Sequence, residues 1–244
     1  MNRVWPTRLP ERPVKAALVS GEYPQLSDRL NRLGIQAVPT CKDLRLPDPI
    51  AWHPDTQTCV LGGRVIVLQG SPLTKLLKEW ELTWEETLQE PGDSYPRDAL
   101  CNVLVWDRFA LGNPRTADAA IISAAEDMGL SWIPVKQGYP ACSVALVNES
   151  AAITADQGIA AQLERYSMTV LRISPGHIRL PGYDTGFIGG CCGKLAADKL
   201  AFVGCLDRHP DGQRIRDFLK THGVSAVELF DGELVDVGGI VPLC

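Results

Sequence analysis

A repeat with a period of 44 residues is the sequence feature that most constrains how this chain can fold. Tyr95, Tyr139 and Tyr183 are equally spaced at that interval. After each one, apolar runs, turn residues and a helical pattern recur in a similar order. Such a repeat predicts structural units that each bury their hydrophobic face against the neighbouring unit. A single continuous hydrophobic core is not expected.

The unit that follows Tyr139 shows the pattern most clearly. The runs SVALV and AAIT flank Asn148-Glu149-Ser150, which predicts two short strands joined by a hairpin. Asp156 is placed to cap a helix over GIAAQLERY. MTVLRIS then has the β-branched and apolar residues typical of a strand. The unit is therefore predicted to be strand–strand–helix–strand.

The neighbouring units follow the same order with local differences. After Tyr183, GFIGGCCG and KLAFVGC are predicted strands, Asp211-Gly212 opens a helix that ends at Gly223, and VSAVELF is the last strand. After Tyr95, NVLVW, a helix starting near Thr116 or Asp118, and SWIPV complete the unit. An earlier unit has a strand pair in CVLGGRVIVLQ and a helical stretch in SPLTKLLKEWELTWEETL, with no evident third strand.

The two ends of the chain complement each other. The first unit has a strand, a helix and a strand in KAALVS, YPQLSDRLNRLG and IQAVP, but no opening strand. The C-terminal ELVDVGGIVPL has strand character and no helix after it. We therefore predict that this last strand completes the first unit and closes the repeats into a ring without open sheet edges.

This interpretation defines the fold class as α/β, a five-fold pseudo-symmetric α/β propeller of ββαβ units in one domain over residues 1–244. A doubly wound open sheet is the alternative, but it requires simple strand–helix alternation and usually a glycine-rich first turn. The predicted units cover about 14–40 with 233–244, 45–92, 93–135, 136–176 and 177–232.

Composition narrows the class of protein. The net charge is −5 and basic residues form no stripe, so we expect no nucleic-acid partner. No apolar run is long enough to span a membrane, and the first thirteen residues, expected to form an extended arm, lack the apolar segment of a secretory signal. The eight cysteines are therefore expected to be reduced thiols in a cytoplasmic protein.

Metal and cofactor binding are not expected. No C-x-x-C pair is present, which disfavours a structural zinc site. The tripeptide His-Pro-Asp occurs twice, at 53–55 and 209–211, and turn or capping roles are favoured there over metal binding. The oligomeric state is left open.

A five-unit ring of this kind resembles the α/β-propeller, or pentein, fold of the guanidino-group-modifying enzymes: arginine deiminases, dimethylarginine hydrolases and amidinotransferases. The stretches YPRDALCN, SPGHIRLPGYDTGFIGGCCG and VDVGGIVPL also resemble a small uncharacterised bacterial family with that fold. The resemblance implies a substrate on the ring axis, a cysteine that attacks the guanidinium carbon, a histidine that moves protons, and two carboxylates that hold the planar cation.

The resemblance assigns three catalytic candidates. The family's cysteine follows a Gly-Gly pair near the C-terminus, which points to Cys244, one or two residues later than the family spacing after Gly238-Gly239. The family's histidine corresponds to His177, although Arg179 stands where the family has an aspartate. Asp98 in YPRDAL matches the family's Arg-Asp carboxylate site.

Substrate binding is assigned to a second group, in which Asp184 would replace the missing aspartate. The GGCCG stretch at 189–193 is expected either to line the axis, with Cys191 or Cys192 as an alternative thiol, or simply to pack tightly. The predicted substrate-binding residues are Asp184, Asp236, Arg179, Cys192 and Asn102.

Two functions compete at this stage. One is a hydrolase or transferase of a guanidino or amidino compound, a deiminase-like C–N hydrolase or an amidinotransferase acting on a small molecule. The other is a non-catalytic pentein that binds a small cationic metabolite or a macromolecular partner. The displaced cysteine and the missing aspartate favour the second, whereas Asp98 and His177 favour the first.

Overall fold

Five three-stranded sheets make up most of the β-structure in the computed structural model, which describes residues 8–243. In chain order, the strands are β1 Ala16–Val19, β2 Gln36–Pro39, β3 Thr58–Leu61, β4 Arg64–Val67, β5 Glu85–Glu86, β6 Leu104–Trp106, β7 Phe109–Gly112, β8 Ser131–Pro134, β9 Val144–Asn148, β10 Ala151–Thr154, β11 Thr169–Arg172, β12 Ile178–Arg179, β13 Cys192–Ala196, β14 Lys199–Phe202, β15 Ser225–Glu228, β16 Leu234–Val235 and β17 Val241–Pro242. The helices are α1 Pro24–Arg32, α2 Pro54–Gln57, α3 Leu73–Glu79, α4 Ala119–Asp127, α5 Pro140–Ser143, α6 Gln157–Arg165 and α7 Gly212–Thr221.

Four of these sheets share one topology. In each, the first two strands form an antiparallel hairpin, and a helix then leads to a third strand that runs parallel to the second. The four sheets are β3-β4-β5, β6-β7-β8, β9-β10-β11 and β13-β14-β15. The remaining three-stranded sheet has the order β17-β1-β2, with the C-terminal β17 antiparallel to β1. A short parallel pair, β12-β16, lies apart from them.

Local sequence signals explain where several helices begin. The Asp156 carboxylate accepts a hydrogen bond from the Ile159 amide at 2.8 Å, and the Asp118 carboxylate accepts one from Ala120 at 2.9 Å. Both satisfy donors that the first helical turn leaves unpaired. α7 begins directly after Asp211, as the Asp-Gly pair predicts.

Two local expectations were wrong. The stretch at 71–88 is not one helix, because α3 ends at Glu79, Glu81 adopts a left-handed backbone with φ of 53°, and β5 then pairs with β4. The strand predicted over GFIGGCCG begins only at Cys192. Gly189 packs too closely on the carbonyls of neighbouring chain segments to carry a side chain, and these close contacts replace a sheet ladder.

The hydrophobic core is divided into five clusters. Each contains residues from two sheets that follow one another along the chain, and the fifth links the last sheet to the first. Representative pairs within the clusters are Leu18 and Val67, Leu61 and Val105, Leu111 and Leu146, Ile153 and Phe202, and Ala201 and Val19.

Two single-turn helices carry buried polar residues. α2 leads directly into β3, and α5 leads directly into β9. Proline at the first helical position suits both turns, because its fixed φ fits a helix start. Every residue of α2 and α5 is buried.

Within the described residues, no helix combines the length and apolarity required to cross a membrane.

Candidate functional site

A cavity of about 150 Å³ lies where α2, α5 and the segments before β13 and β17 meet. Its mouth is aromatic, with Tyr139, Tyr183 and Phe187 along the walls. Its polar groups include His53, Cys142 and Asp236, which are all buried. The site therefore combines titratable side chains with a largely apolar lining, as small-molecule sites commonly do.

Cys142 belongs to a hydrogen-bond network that joins three distant parts of the chain. Its Sγ donates to Oδ2 of Asp55 at 2.8 Å. The Asn102 amide nitrogen donates to Sγ of Cys142 at 3.0 Å and to the Asp55 carbonyl at 3.2 Å. The Asn102 side-chain oxygen accepts from the Ala141 amide at 2.8 Å. Asn102 thus fixes both α5, which carries the thiol, and α2, which carries the carboxylate.

Asp236 is held beside this network by backbone donors. Its Oδ1 accepts from Gly238 N at 3.1 Å and its Oδ2 accepts from Phe187 N at 2.8 Å. Nδ1 of His53 lies 3.7 Å from Oδ1. A side chain on Gly190 would overlap the Asp236 carboxylate, so the carboxylate occupies space that only glycine leaves open.

Several buried polar atoms at this site lack a hydrogen-bond partner in the described part of the chain. They are both ring nitrogens of His53 and Oδ1 of Asp55. Buried polar atoms in folded proteins are almost always paired, so each exception needs a reason. A ligand with N–H donors and acceptors is one such reason.

Burial dominates the electrostatics of the site. It raises the pKa of Asp55 to about 6 and that of Asp236 to about 7, and the Asp55 charge adds to the second shift. It lowers the pKa of His53 to about 3, so the imidazole is neutral at physiological pH. Burial and the neighbouring Asp55 raise the pKa of the Cys142 thiol well above its usual range. The resting site therefore holds a thiol beside a pair of carboxyl groups that titrate near neutrality.

Asp98 lies behind one aromatic wall of the cavity. The Tyr139 hydroxyl donates to Oδ2 of Asp98 at 2.7 Å, and Oδ1 is buried without a partner among the described residues. Burial raises the pKa of Asp98, while burial and the bond to Asp98 raise the pKa of Tyr139. The Tyr95 ring lies 6.3 Å from that of Tyr139. The three tyrosines of the 44-residue repeat are therefore gathered at or beside this cavity.

The structure brings together some of the predicted site residues. Asp236 lines the cavity, Asn102 bonds to Cys142, and Asp98 bonds to Tyr139. Cys192 is buried but lies outside the cavity lining, and its Sγ is directed to the Gly189 carbonyl at 3.8 Å. Cys191 likewise donates to the Ile188 carbonyl, at 3.2 Å.

Other predicted residues lie elsewhere. His177 is exposed, has a left-handed backbone with φ of 64°, and packs against the His209 ring at 5.6 Å. Arg179 and Asp184 are exposed and do not line the cavity. Cys244 lies outside the described residues, so its role stays a prediction.

Sequence reasoning missed His53, Asp55, Cys142 and Tyr139. The available signal was an X-Pro dipeptide that opens a single turn immediately before a buried strand, as in His53-Pro54 and Tyr139-Pro140. The second His-Pro-Asp copy at 209–211 differs. There Asp211 opens α7, and its amide donates to Nδ1 of His209 at 3.0 Å, as a turn role predicts.

A larger open groove of about 1060 Å³ is lined in part by Tyr95. Its carboxylate, Asp156, is already engaged in capping α6, and its cations Arg115 and Lys136 are exposed. We therefore place the candidate site in the smaller cavity. Across residues 8–243, no group of three or more His, Cys, Asp or Glu side chains is arranged to hold a metal ion.

Solved structures with a similar fold include several enzymes. The inosamine-phosphate amidinotransferase of Streptomyces griseus has a TM-score of 0.65 at 10% identity, covering 100% of this chain and 97% of that one. DDAH from Pseudomonas aeruginosa, complexed with citrulline, has a TM-score of 0.58 at 12% identity, and the match covers 94% of this chain and 97% of that one. The agmatine deiminase of C. jejuni has a TM-score of 0.55 at 8% identity, and the match covers 92% of this chain and 89% of that one. At these identities the likeness is one of fold.

This likeness confirms the predicted pentein fold of the guanidino-group-modifying enzymes. No curated protein matches the sequence significantly. A family model described as a family of unknown function, DUF6873, matches residues 18–241, and the chain belongs to that family.

Proposed function

We propose that this protein is a hydrolase or transferase that acts on a C–N bond of a guanidino or amidino compound at Cys142. The observation that carries the proposal is the 2.8 Å hydrogen bond from the Cys142 thiol to Asp55, beside the second buried carboxyl group of Asp236. A thiol next to a base is the arrangement that nucleophilic catalysis requires.

The cavity would lie on the axis of a closed five-fold propeller of ββαβ units, a single domain. The five hydrophobic clusters, the last of which links the last sheet to the first, support this closure. The pairing of β17 with β1 supports it as well, since it brings the C-terminal strand into the first sheet. On such an axis, residues from different units meet, and Asp55, Asn102, Cys142 and Asp236 come from four of the predicted units.

Cation binding follows from the acceptors in the cavity. A guanidinium has five N–H donors in a planar fork that matches carboxylate oxygens. Asp55 has an unpartnered Oδ1, and Asp236 lies beside it. The rings of Tyr139 and Phe187 line the cavity and would exclude water from the bound cation. Burial strengthens each of these electrostatic interactions.

The reaction would begin with proton transfer from Cys142 to Asp55. A bound cation lowers the pKa of a nearby thiol, which offsets the burial that raises it in the resting site. The thiolate then forms an S–C bond to the guanidinium carbon. One C–N bond breaks, and the departing nitrogen takes a proton from a carboxylic acid of the pair. Water or an acceptor amine next attacks the amidino-thioether carbon and releases the thiol.

The comparisons support this chemistry without assigning a substrate. The similar structures are named as an amidinotransferase, a DDAH and an agmatine deiminase. For this chain, a small guanidino or amidino molecule as substrate is the corresponding proposal.

The test is a turnover assay with arginine, agmatine and methylated arginines, in which release of ammonia or amine is measured. We expect at least one compound to be turned over, and Cys142→Ala to reduce the rate by about 10³-fold or more. Cys41→Ala, which changes an exposed thiol, is the matched control and is expected to keep full activity. Full activity in Cys142→Ala would show that another thiol reacts.

Binding without turnover is the second candidate. The observation that favours it is the raised pKa of the Cys142 thiol, since the resting site holds no thiolate. In that case, calorimetry would detect binding of a guanidino compound, while no compound of the panel is turned over. Cys142→Ser would leave the binding affinity unchanged, and Asp236→Asn would weaken it. Turnover that depends on Cys142 would exclude this candidate.

A further inference from the structure

The imidazole of His53 lines the cavity but has no part in the proposed reaction. His53 is only 1% exposed, and neither of its ring nitrogens has a hydrogen-bond partner among the described residues. Nδ1 lies 3.7 Å from Oδ1 of Asp236, which is too far for a hydrogen bond. A buried polar group that stays unpaired costs free energy, so a ligand that pairs with it gains affinity.

The second His-Pro-Asp tripeptide shows how such a histidine can be paired within its own turn. At 209–211, Nδ1 of His209 accepts a hydrogen bond from the Asp211 amide at 3.0 Å. At 53–55, Nδ1 of the histidine makes no such bond within the described chain, and the His53 side chain does not cap α2. The backbone of the turn therefore leaves the His53 ring available to a ligand.

The surrounding backbone holds the His53 ring in place. The His53 amide donates to the Ile50 carbonyl at 3.1 Å, and the His53 carbonyl accepts from the Thr56 hydroxyl at 3.0 Å. A Cβ on Gly238 would lie 2.4 Å from Cβ of His53 and 2.7 Å from Cγ, so the base of the ring packs directly against the Gly238 backbone. A group that is already held in position loses little conformational entropy when a ligand binds to it.

The chemistry of the ring suits a cation that carries N–H groups. Burial lowers the pKa of His53 to about 3, so the ring is neutral and does not repel a cation. A neutral imidazole has one acceptor nitrogen, and a guanidinium offers only N–H donors. The rings of Tyr139, Tyr183 and Phe187 lack this selectivity, because an aromatic face also attracts quaternary ammonium ions. Discrimination between the two kinds of cation therefore depends on acceptors such as His53.

We propose that His53 is a substrate-binding residue whose imidazole accepts a hydrogen bond from an N–H of the bound guanidino or amidino group. His53 thereby selects cations that donate hydrogen bonds over quaternary ammonium ions. This inference rests on the proposed function, because it names a contact to the substrate of the same cavity. It gives α2 and its first flanking residue two roles, since Asp55 accepts the thiol proton and His53 binds the cation.

The experiment is calorimetry of the full-length protein with guanidinium chloride and tetramethylammonium chloride, both at millimolar concentrations. We expect His53→Leu to weaken guanidinium binding about tenfold and tetramethylammonium binding by less than about twofold, because only guanidinium loses a hydrogen-bond acceptor. His53→Gln, which keeps an acceptor, is expected to retain most of the affinity. His222→Leu is the matched control, since the His222 ring packs against Phe218 at the end of α7.

Unchanged guanidinium affinity in His53→Leu would overturn the inference, as would equal losses for the two cations or no guanidinium binding by the wild type. Near-ultraviolet circular dichroism checks that each variant is folded. If His53→Leu is not, ¹⁵N NMR of the wild-type imidazoles replaces it, with the His53 resonances assigned by His53→Gln. Guanidinium, but not tetramethylammonium, is then expected to shift the acceptor nitrogen of His53, and no shift would overturn the inference.

The binding measurement requires no turnover, so the two proposals can fail separately. Guanidinium binding that depends on His53, in a protein that turns over no compound of the panel, would support this contact and refute the proposed catalysis. Turnover that depends on Cys142, together with unchanged guanidinium binding in His53→Leu, would support the catalysis and refute this contact.

Discussion

The Cys142 thiol donates a hydrogen bond to Oδ2 of Asp55 at 2.8 Å, although the two residues are 87 positions apart in the chain. Each lies on a buried single-turn helix that leads into a strand, α5 for the thiol and α2 for the carboxylate. Asn102, from the unit between them, bonds to both residues. Three of the predicted units thus supply the proposed nucleophile, its proposed base and the amide that bonds to both.

Replacing Asp55 by Asn should remove the base while it keeps the shape of the side chain. We expect kcat to fall by about 10²-fold or more, since loss of a positioned general base typically costs that much. Asp231→Asn, which changes an exposed carboxylate, should leave kcat unchanged. Steady-state kinetics on any compound that is turned over measure both variants. A fall of less than about twofold in Asp55→Asn would assign the base elsewhere.

Stability should depend on pH because of Asp236. Its folded-state pKa, about 7, lies above the ordinary aspartate pKa of 3.8, so between these values the folded protein binds a proton that the unfolded chain has lost. This stabilising contribution is complete below about pH 4 and disappears as the pH rises through about 7. The slope for this group is at most about 1.4 kcal/mol per pH unit.

Urea unfolding between pH 4 and pH 8 measures this contribution when wild type is compared with Asp236→Asn. We expect the free energy of unfolding of the wild type to fall more steeply across that window than that of the variant. Parallel pH profiles would mean that Asp236 ionises in the folded state as it does in water.

Gly190→Ala should damage the site sterically. The new Cβ would overlap the Asp236 carboxylate, and this carboxylate is fixed by the Gly238 and Phe187 amides, so it has no room to withdraw. Crowding of this kind usually costs about 1–3 kcal/mol of stability. Gly232→Ala, whose Cβ would meet no atom within 4 Å, is the control. Thermal unfolding of the two variants tests this, and equal melting temperatures would contradict it.

Rules based on local sequence predicted helix starts correctly where the structure depends on a few neighbouring residues. Asp156 caps α6 because its hydrogen bond to the Ile159 amide spans only three residues. α7 begins after the Asp-Gly pair as expected, although the Asp211 carboxylate bonds to Ser174 and Arg214 rather than capping the helix. The same rules were wrong at 71–88, where pairing of β5 with β4 overrides helical spacing. Tertiary hydrogen bonds can outweigh propensity, because they pair backbone groups that would otherwise be buried unsatisfied.

The structure brings only some of the predicted site residues to the candidate site, for a related reason. Asp98, Asn102 and Asp236 lie in or beside the site, whereas His177 and Asp184 are exposed. The exposed pair was assigned by resemblance to a family, and resemblance of sequence position does not fix where a side chain points. Asp55 shares its tripeptide with Asp211, yet only Asp55 bonds to a thiol in the cavity.

The sequence by itself determined the strand–strand–helix–strand order, the helix caps and the likeness to the pentein fold, because period and capping are local properties of the chain. Only the tertiary structure decided that Cys142, Asp55, Asn102 and Asp236 meet. These contacts depend on how separate units pack around glycines that admit no side chain. The spacing of 44 residues in the sequence does have a counterpart in the tertiary structure: Tyr139 and Tyr183 line one cavity, and Tyr95 packs beside Tyr139.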